Sequence, residues 1–236
     1  MLLDQKTLFI TGAAGALGRA VAERAAAFGA SQLILADIVA IDNAAKAAIE
    51  KAAINNIELH VESLDLSDLA ALQQRVAELP DIDALCNIAG GFAMGSTAHE
   101  ETDAGWQAMF DINVQTMQNS CKAWIPRLIA QGSGHIVNIG ALGALQGQAL
   151  MSSYIASKSA VMRLTEAMSA ELKSKGINVN AVLPNVIDTA RNRADMPDAD
   201  FSQWVNPHDL GNVICMLASD HSKAMHGALV PVAGLG

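Results

Sequence analysis

One tyrosine and one lysine stand four residues apart in the stretch NIGALGALQGQALMSSYIASK, residues 138–158. On a helix, Tyr154 and Lys158 share a face one turn apart, so a phenol and an ammonium can be neighbours. A free tyrosine has a pKa of about 10, too high for ready proton exchange near neutrality. An adjacent ammonium favours the phenolate and lowers that value, as general acid–base chemistry requires. Tyr154 is the only tyrosine in the chain. We expect it to be catalytic, with Lys158 as its activator.

A second constellation lies at the other end of the chain. The run TGAAGALG places Gly12, Gly15 and Gly18 three residues apart, after one apolar run and before a helical one. Such a turn lets the backbone approach a pyrophosphate, and the amides of Ala16 and Leu17 at the helix start can hold its charge. Asp37 ends the next apolar run. A carboxylate there accepts hydrogen bonds from ribose hydroxyls and repels a 2′-phosphate, and Ile38 follows it in place of an arginine. NAD is therefore favoured over NADP as cofactor. Asp65 and Leu66, with the turn NIAGG that contains Asn87, Ala89 and Gly90, fall after the third and fourth apolar runs. They are expected to line the adenine and ribose side. Asp65 has a second reading, as the first carboxylate of its helix.

The elements that must position these residues alternate. KTLFIT, QLILAD, IELHV, DALCNI, GHIVNIG, INVNAVLP and ALVPV read as seven strands. Helical patterns fall at Ala16–Phe28, Asn43–Ala53, Leu66–Glu78, Trp106–Ile129, Ser153–Lys175 and Pro207–Ala218. This rhythm predicts an α/β fold, with a mostly parallel sheet covered on both faces. The polar run from Thr189 to Trp204 interrupts it beyond the sixth strand, where ligands bind in such sheets, and reads as a lid over the substrate or as an exposed connection.

Composition narrows the rest. The 236 residues are 51% hydrophobic and 17% charged, enough for a sizeable core. A net charge of −9 and the absence of a basic run argue against nucleic acid as a partner. No stretch approaches the ~20 apolar residues of a membrane span. Cys86, Cys121 and Cys215 are widely spaced, and the six histidines show no ligand spacing, so neither a disulfide framework nor a metal site is expected. With no leader-like start, these features predict a cytoplasmic protein.

These motifs, in this order, resemble the short-chain dehydrogenases/reductases over nearly the whole chain. The residues that carry the likeness are the glycine turn, Asn87-Ile-Ala-Gly90, Asn113 in DINV, Tyr154-x-x-x-Lys158, and INVNAVLP leading to Thr189. The resemblance implies one Rossmann-type, doubly wound domain over residues 1–236, a nicotinamide cofactor, a small-molecule substrate and a homo-oligomer, tetramer or dimer. It gives Lys158 a grip on the nicotinamide ribose and Asn113 a part in proton relay. Pro184, Ile187 and Thr189 fall on the cofactor side. It also exposes a departure. The family places a serine thirteen residues before the tyrosine, and position 141 is Ala. Loss of one aimed donor can cost on the order of 10²-fold in rate.

Where the chain departs from the wider family, it looks like the dihydropteridine reductase subgroup. This is seen in GAAGALG, LCNIAGGFAMG, the alanine of GALGAL and VLPNVIDTARNRADMPDADFSQW. Three substrate readings stay open: a conjugated imine such as a quinonoid dihydropterin, a ketone, and a 3-oxoacyl compound. A fourth reading, prompted by Ala141, is a dinucleotide-binding sensor or scaffold with little turnover. Ala141, Phe92, Met94, Gln148 and Met196 are the expected substrate-side residues.

Overall fold

A computed structural model describes all 236 residues. Seven strands form one sheet: β1 Thr7–Thr11, β2 Gln32–Asp37, β3 Glu58–Ser63, β4 Ala84–Asn87, β5 Gly134–Ile139, β6 Ile177–Pro184 and β7 Leu229–Val232. Their order is β3-β2-β1-β4-β5-β6-β7, with every pair parallel. The chain therefore leaves β3 at one edge and returns to the middle as β4, beside β1. Loops at the carboxyl ends of β1 and β4 diverge there and open a crevice.

The inner strands are largely apolar because both of their faces are covered, whereas the edge strand β3, ELHVES, stays partly exposed. Leu8, Ile10, Leu33 and Leu35 face a core shared with α1 (Ala16–Ala27), α2 (Asn43–Ala52) and α8 (Pro207–Leu217). The alternating Phe9, Ile34 and Ala36 face the opposite core, with α3 (Leu69–Glu78), α5 (Thr116–Gln131) and α6 (Ser152–Leu172). The period of two divides each strand between the cores. A smaller cluster around Ala141, Ile155, Met162 and Leu183 closes the end nearest Tyr154.

Caps correct two predicted boundaries. The third helix starts at Leu69 rather than Leu66, because the Asp68 carboxylate accepts from the Ala71 amide at 3.0 Å. Asp65 is therefore not the capping carboxylate of that helix; it takes the amide and hydroxyl of Ser67 at 2.8 and 2.7 Å. The expected single helix over Trp106–Ile129 is three pieces: α4 (Asp103–Phe110, capped by Thr102), a π-turn over Asp111–Gln115, and α5. The run beyond β6 holds the short helix α7, Ala190–Asp195, and a 3₁₀ turn at Phe201–Gln203.

Candidate active site

The glycine turn is built from the sheet outward. Gly12 has φ +65°, and a Cβ there would press on the Ala89 amide at 2.7 Å. A Cβ on Gly18 would lie 2.2 Å from the Gly12 carbonyl oxygen, so helix and turn meet as closely as backbone allows. Thr11 Oγ1 accepts from the amides of Ile88 and Ala89 at 2.9 and 3.1 Å, which joins the turn to the loop after β4. The Asp37 carboxylate accepts from Ala14 N and Val39 N, both at 2.9 Å. Each oxygen keeps a free acceptor position, since a carboxylate offers about four.

A cleft of about 550 Å³ lies over this turn. Its walls include Gly12, Gly15, Ala16, Leu17, Gly18, Asp37, Asp65, Leu66, Ala89, Gly90 and Thr189, each expected there from the sequence. Three other expected residues lie behind the wall. Asn87 is buried and donates across the sheet to Asn138 Oδ1 at 2.8 Å. Pro184 is buried in the last pair of β6 with β7. Ile187 packs on the core beside a bridge to Val205. The cleft also takes Ile38, considered above only as the residue standing in place of an arginine, and Leu64, Ile88, Ile112, Thr116, Ala190 and Arg191, which sequence reasoning passed over. Ile112 and Thr116 flank Asn113 at helical spacing, and Ala190 and Arg191 follow Thr189; that adjacency was the available signal.

The residues fit a dinucleotide. A Cβ on Gly15 would press on the Gly12 carbonyl oxygen at 3.3 Å and meet nothing else within 4 Å, so the glycine leaves its backbone bare on this wall. A backbone left bare toward a cleft, at the start of a helix, suits a pyrophosphate.

Tyr154 and Lys158 sit in the first two turns of α6. Lys158 is 6% exposed, and its ammonium donates to the Ile139 carbonyl at 2.9 Å. It lies 3.3 Å from where a Cβ of Gly90 would be, so the missing side chain opens its way to the cleft. Burial pulls Lys158 down to about 8 and pushes Tyr154 up to about 12. The expected acidification of Tyr154 by Lys158 is thus absent from this structure: desolvation dominates, and the ammonium is turned to a carbonyl. Phe92 meets the Tyr154 ring edge-on, with centroids 4.8 Å apart.

Asn113 occupies the middle of the π-turn. Its Oδ1 accepts from Gly91 N at 2.9 Å, and its Nδ2 donates to Gly91 O and to Ser157 Oγ, both at 3.1 Å. Ser157 in turn donates to the Tyr154 carbonyl at 2.7 Å. Ser157 thus joins Asn113 to the tyrosine's own helical turn. Ser153 donates to Glu101 at 2.8 Å, and Ser159 to the Ala144 carbonyl at 3.0 Å. Ala141 is 5% exposed inside the small apolar cluster, on which Tyr154 also leans. None of these three serine hydroxyls is directed to the substrate atom that Tyr154 would serve. Gln148 and Met94 are exposed on the loops after β5 and β4, which are tied by Gly95 N to Leu150 O at 2.8 Å. Met196 caps α7 on the lid side.

A doubly wound parallel sheet with a glycine turn at its switch point defines the dinucleotide-binding α/β class. Comparison with known proteins carries this further. The short chain dehydrogenase family profile matches residues 6–200. Sorbitol dehydrogenase of Cereibacter sphaeroides is 34% identical over 241 residues, covering 100% of this chain and 87% of the relative. Levodione reductase superposes with a TM-score of 0.91 at 28% identity, covering 98% of this chain and 97% of the other. Carveol dehydrogenase from Mycobacterium avium, solved with NAD, superposes at 0.87 with 28% identity over 99% and 98% of the two chains. The chain belongs to the short-chain dehydrogenases/reductases, and it is an NAD(P)-dependent oxidoreductase of that type. Similar solved structures hold NAD in some cases and NADP in others.

Proposed function

We propose that the protein transfers hydride between NAD(H) and a small carbonyl or conjugated imine, with Tyr154 as acid–base and Lys158 as its support. The bound nicotinamide supplies or accepts the hydride. Held near 12, Tyr154 is a neutral phenol at neutral pH and can give a proton to the substrate oxygen or nitrogen. As it does so, the Lys158 ammonium, one helical turn away, turns from the Ile139 carbonyl to stabilise the developing phenolate. Asn113 holds the Gly91 backbone and Ser157 in place beside the pair. Asp37, at the end of β2 on the cleft wall, supports NAD(H) over NADP(H).

The observation that carries the substrate reading is Ala141, buried in apolar company where a hydroxyl clamp would otherwise stand. An electron-poor conjugated acceptor, such as a quinonoid dihydropterin, needs less help from a second donor than a simple ketone does. Ketone or alcohol turnover is the second reading, favoured by relatives such as the sorbitol dehydrogenase. NADH consumption with quinonoid dihydropterin, ketones, 3-oxoacyl thioesters and quinones separates the two. With the best substrate, Tyr154→Phe is expected to lower kcat by about 10²-fold or more. Unchanged turnover would remove Tyr154 from the role. Tight NADH binding with no turnover on any substrate would favour a sensor or scaffold.

A further inference from the structure

The cleft walls are net acidic, yet the dinucleotide they would hold is an anion. Its walls hold two carboxylates, Asp37 and Asp65, and a single cationic side chain, Arg191. The chain around it carries a net charge of −9. A dinucleotide brings two phosphate charges to the middle of this crevice, and the remaining donors at the glycine turn are neutral backbone amides.

Arg191 is the second residue of α7. Thr189 fixes the start of that helix, its Oγ1 accepting from Asn192 N at 3.1 Å, and so sets where Arg191 emerges. Only Asp195 stands near its guanidinium, at 3.7 Å, with the two side chains 80% and 58% exposed. An exposed pair of this kind is weakly held, and little is lost when the guanidinium turns to another anion. Arg193, on the same helix, is the contrast. It makes two bonds to Asp188, at 2.5 and 2.7 Å, and lies 4.8 Å over the Phe201 ring. One arginine fastens the lid to itself, while the other faces the cleft.

We infer that Arg191 is a phosphate ligand, clamping the pyrophosphate of the bound dinucleotide from the lid side, opposite the amides of Gly15, Ala16 and Leu17. The inference rests on the NAD(H) reading and adds to it. A planar guanidinium offers paired donors to phosphate oxygens, and binding would draw α7 over the cofactor.

Dissociation constants of NADH, ADP and adenosine, measured by calorimetry at low and high salt, test it on wild type, Arg191→Met and Arg191→Lys. Arg191→Met should weaken NADH and ADP by about tenfold at low salt and leave adenosine unchanged. Arg191→Lys should recover part of the loss, and the gap should narrow at high salt, since ion pairs are screened. Equal NADH affinity in wild type and Arg191→Met would overturn the inference while the nucleotide reading stands. So would a change confined to the KM of an anionic substrate, which would move the guanidinium to the substrate side. Wild type that binds neither NADH nor ADP would overturn both readings together.

Discussion

Burial moves Tyr154 and Lys158 in opposite directions, up to about 12 and down to about 8. Proximity in sequence shows that the two can meet, but it carries no information on how dry their surroundings are. The pair was therefore legible, and the sign of the tyrosine's shift was not. A consequence for stability follows. The unfolded lysine titrates at about 10.4, so between about 8 and that value the unfolded chain binds more protons and stability rises with pH. Below that window the fold holds a buried ammonium at a cost of a few kcal/mol. Lys158→Met is expected to abolish hydride transfer yet raise the melting temperature at neutral pH, with the gain fading toward about pH 10. Thermal unfolding of both proteins across that range measures it. A variant less stable at neutral pH would mean that the bond to the Ile139 carbonyl outweighs the burial.

At the scale of elements, the informative departure is the π-turn between α4 and α5. Its extra residue rotates the helix by a fraction of a turn, and Asn113 then faces Gly91 and Ser157. The apolar pattern of Trp106–Ile129 reads as one helix because a single inserted residue hardly disturbs a recurrence of three and four. The cause lies in partners 22 and 44 positions away in sequence, which no local window contains. The start of α3 was misplaced on a smaller scale: Asp65 and Asp68 both suit a cap, and only the fold chooses between them. Replacing Asn113 with Leu leaves the Gly91 amide and carbonyl without their partner. It should cost about 1–3 kcal/mol in urea unfolding. In the same variant kcat should fall more than KM rises if the π-turn positions the proposed acid–base pair through Ser157. Loss of stability with unaltered kinetics would confine Asn113 to a structural role.

At the scale of the molecule, the alternating strands and helices were legible because strands buried on both faces must be apolar, and QLILAD and INVNAVLP match β2 and β6 end to end. Strand order was not in the periodicity, because it is set by pairings between runs far apart in sequence. The order matters because it brings the carboxyl ends of β1 and β4 together, so that the cleft draws on both halves of the sheet. A ligand bound there should stabilise the whole fold by mass action. NADH at about 100 times its Kd adds about 2.7 kcal/mol. For a chain of this size that is several degrees of melting temperature. On the proposed NAD(H) reading, in which Asp37 would meet the 2′-phosphate, NADPH at equal concentration should add less. A larger shift with NADPH would reverse the cofactor assignment.

The walls of that cleft are drawn from residue 12 through residue 191, and Arg191 and Thr189 reach it only after β6 is laid beside β5. During synthesis, the glycine turn leaves the ribosome long before the residues that would cover the nucleotide. A growing chain can therefore complete its first two strands but cannot yet capture cofactor. Stabilisation by nucleotide would reach newly made protein only near the end of translation, so the nascent half must keep its apolar strand edges from aggregating without that help.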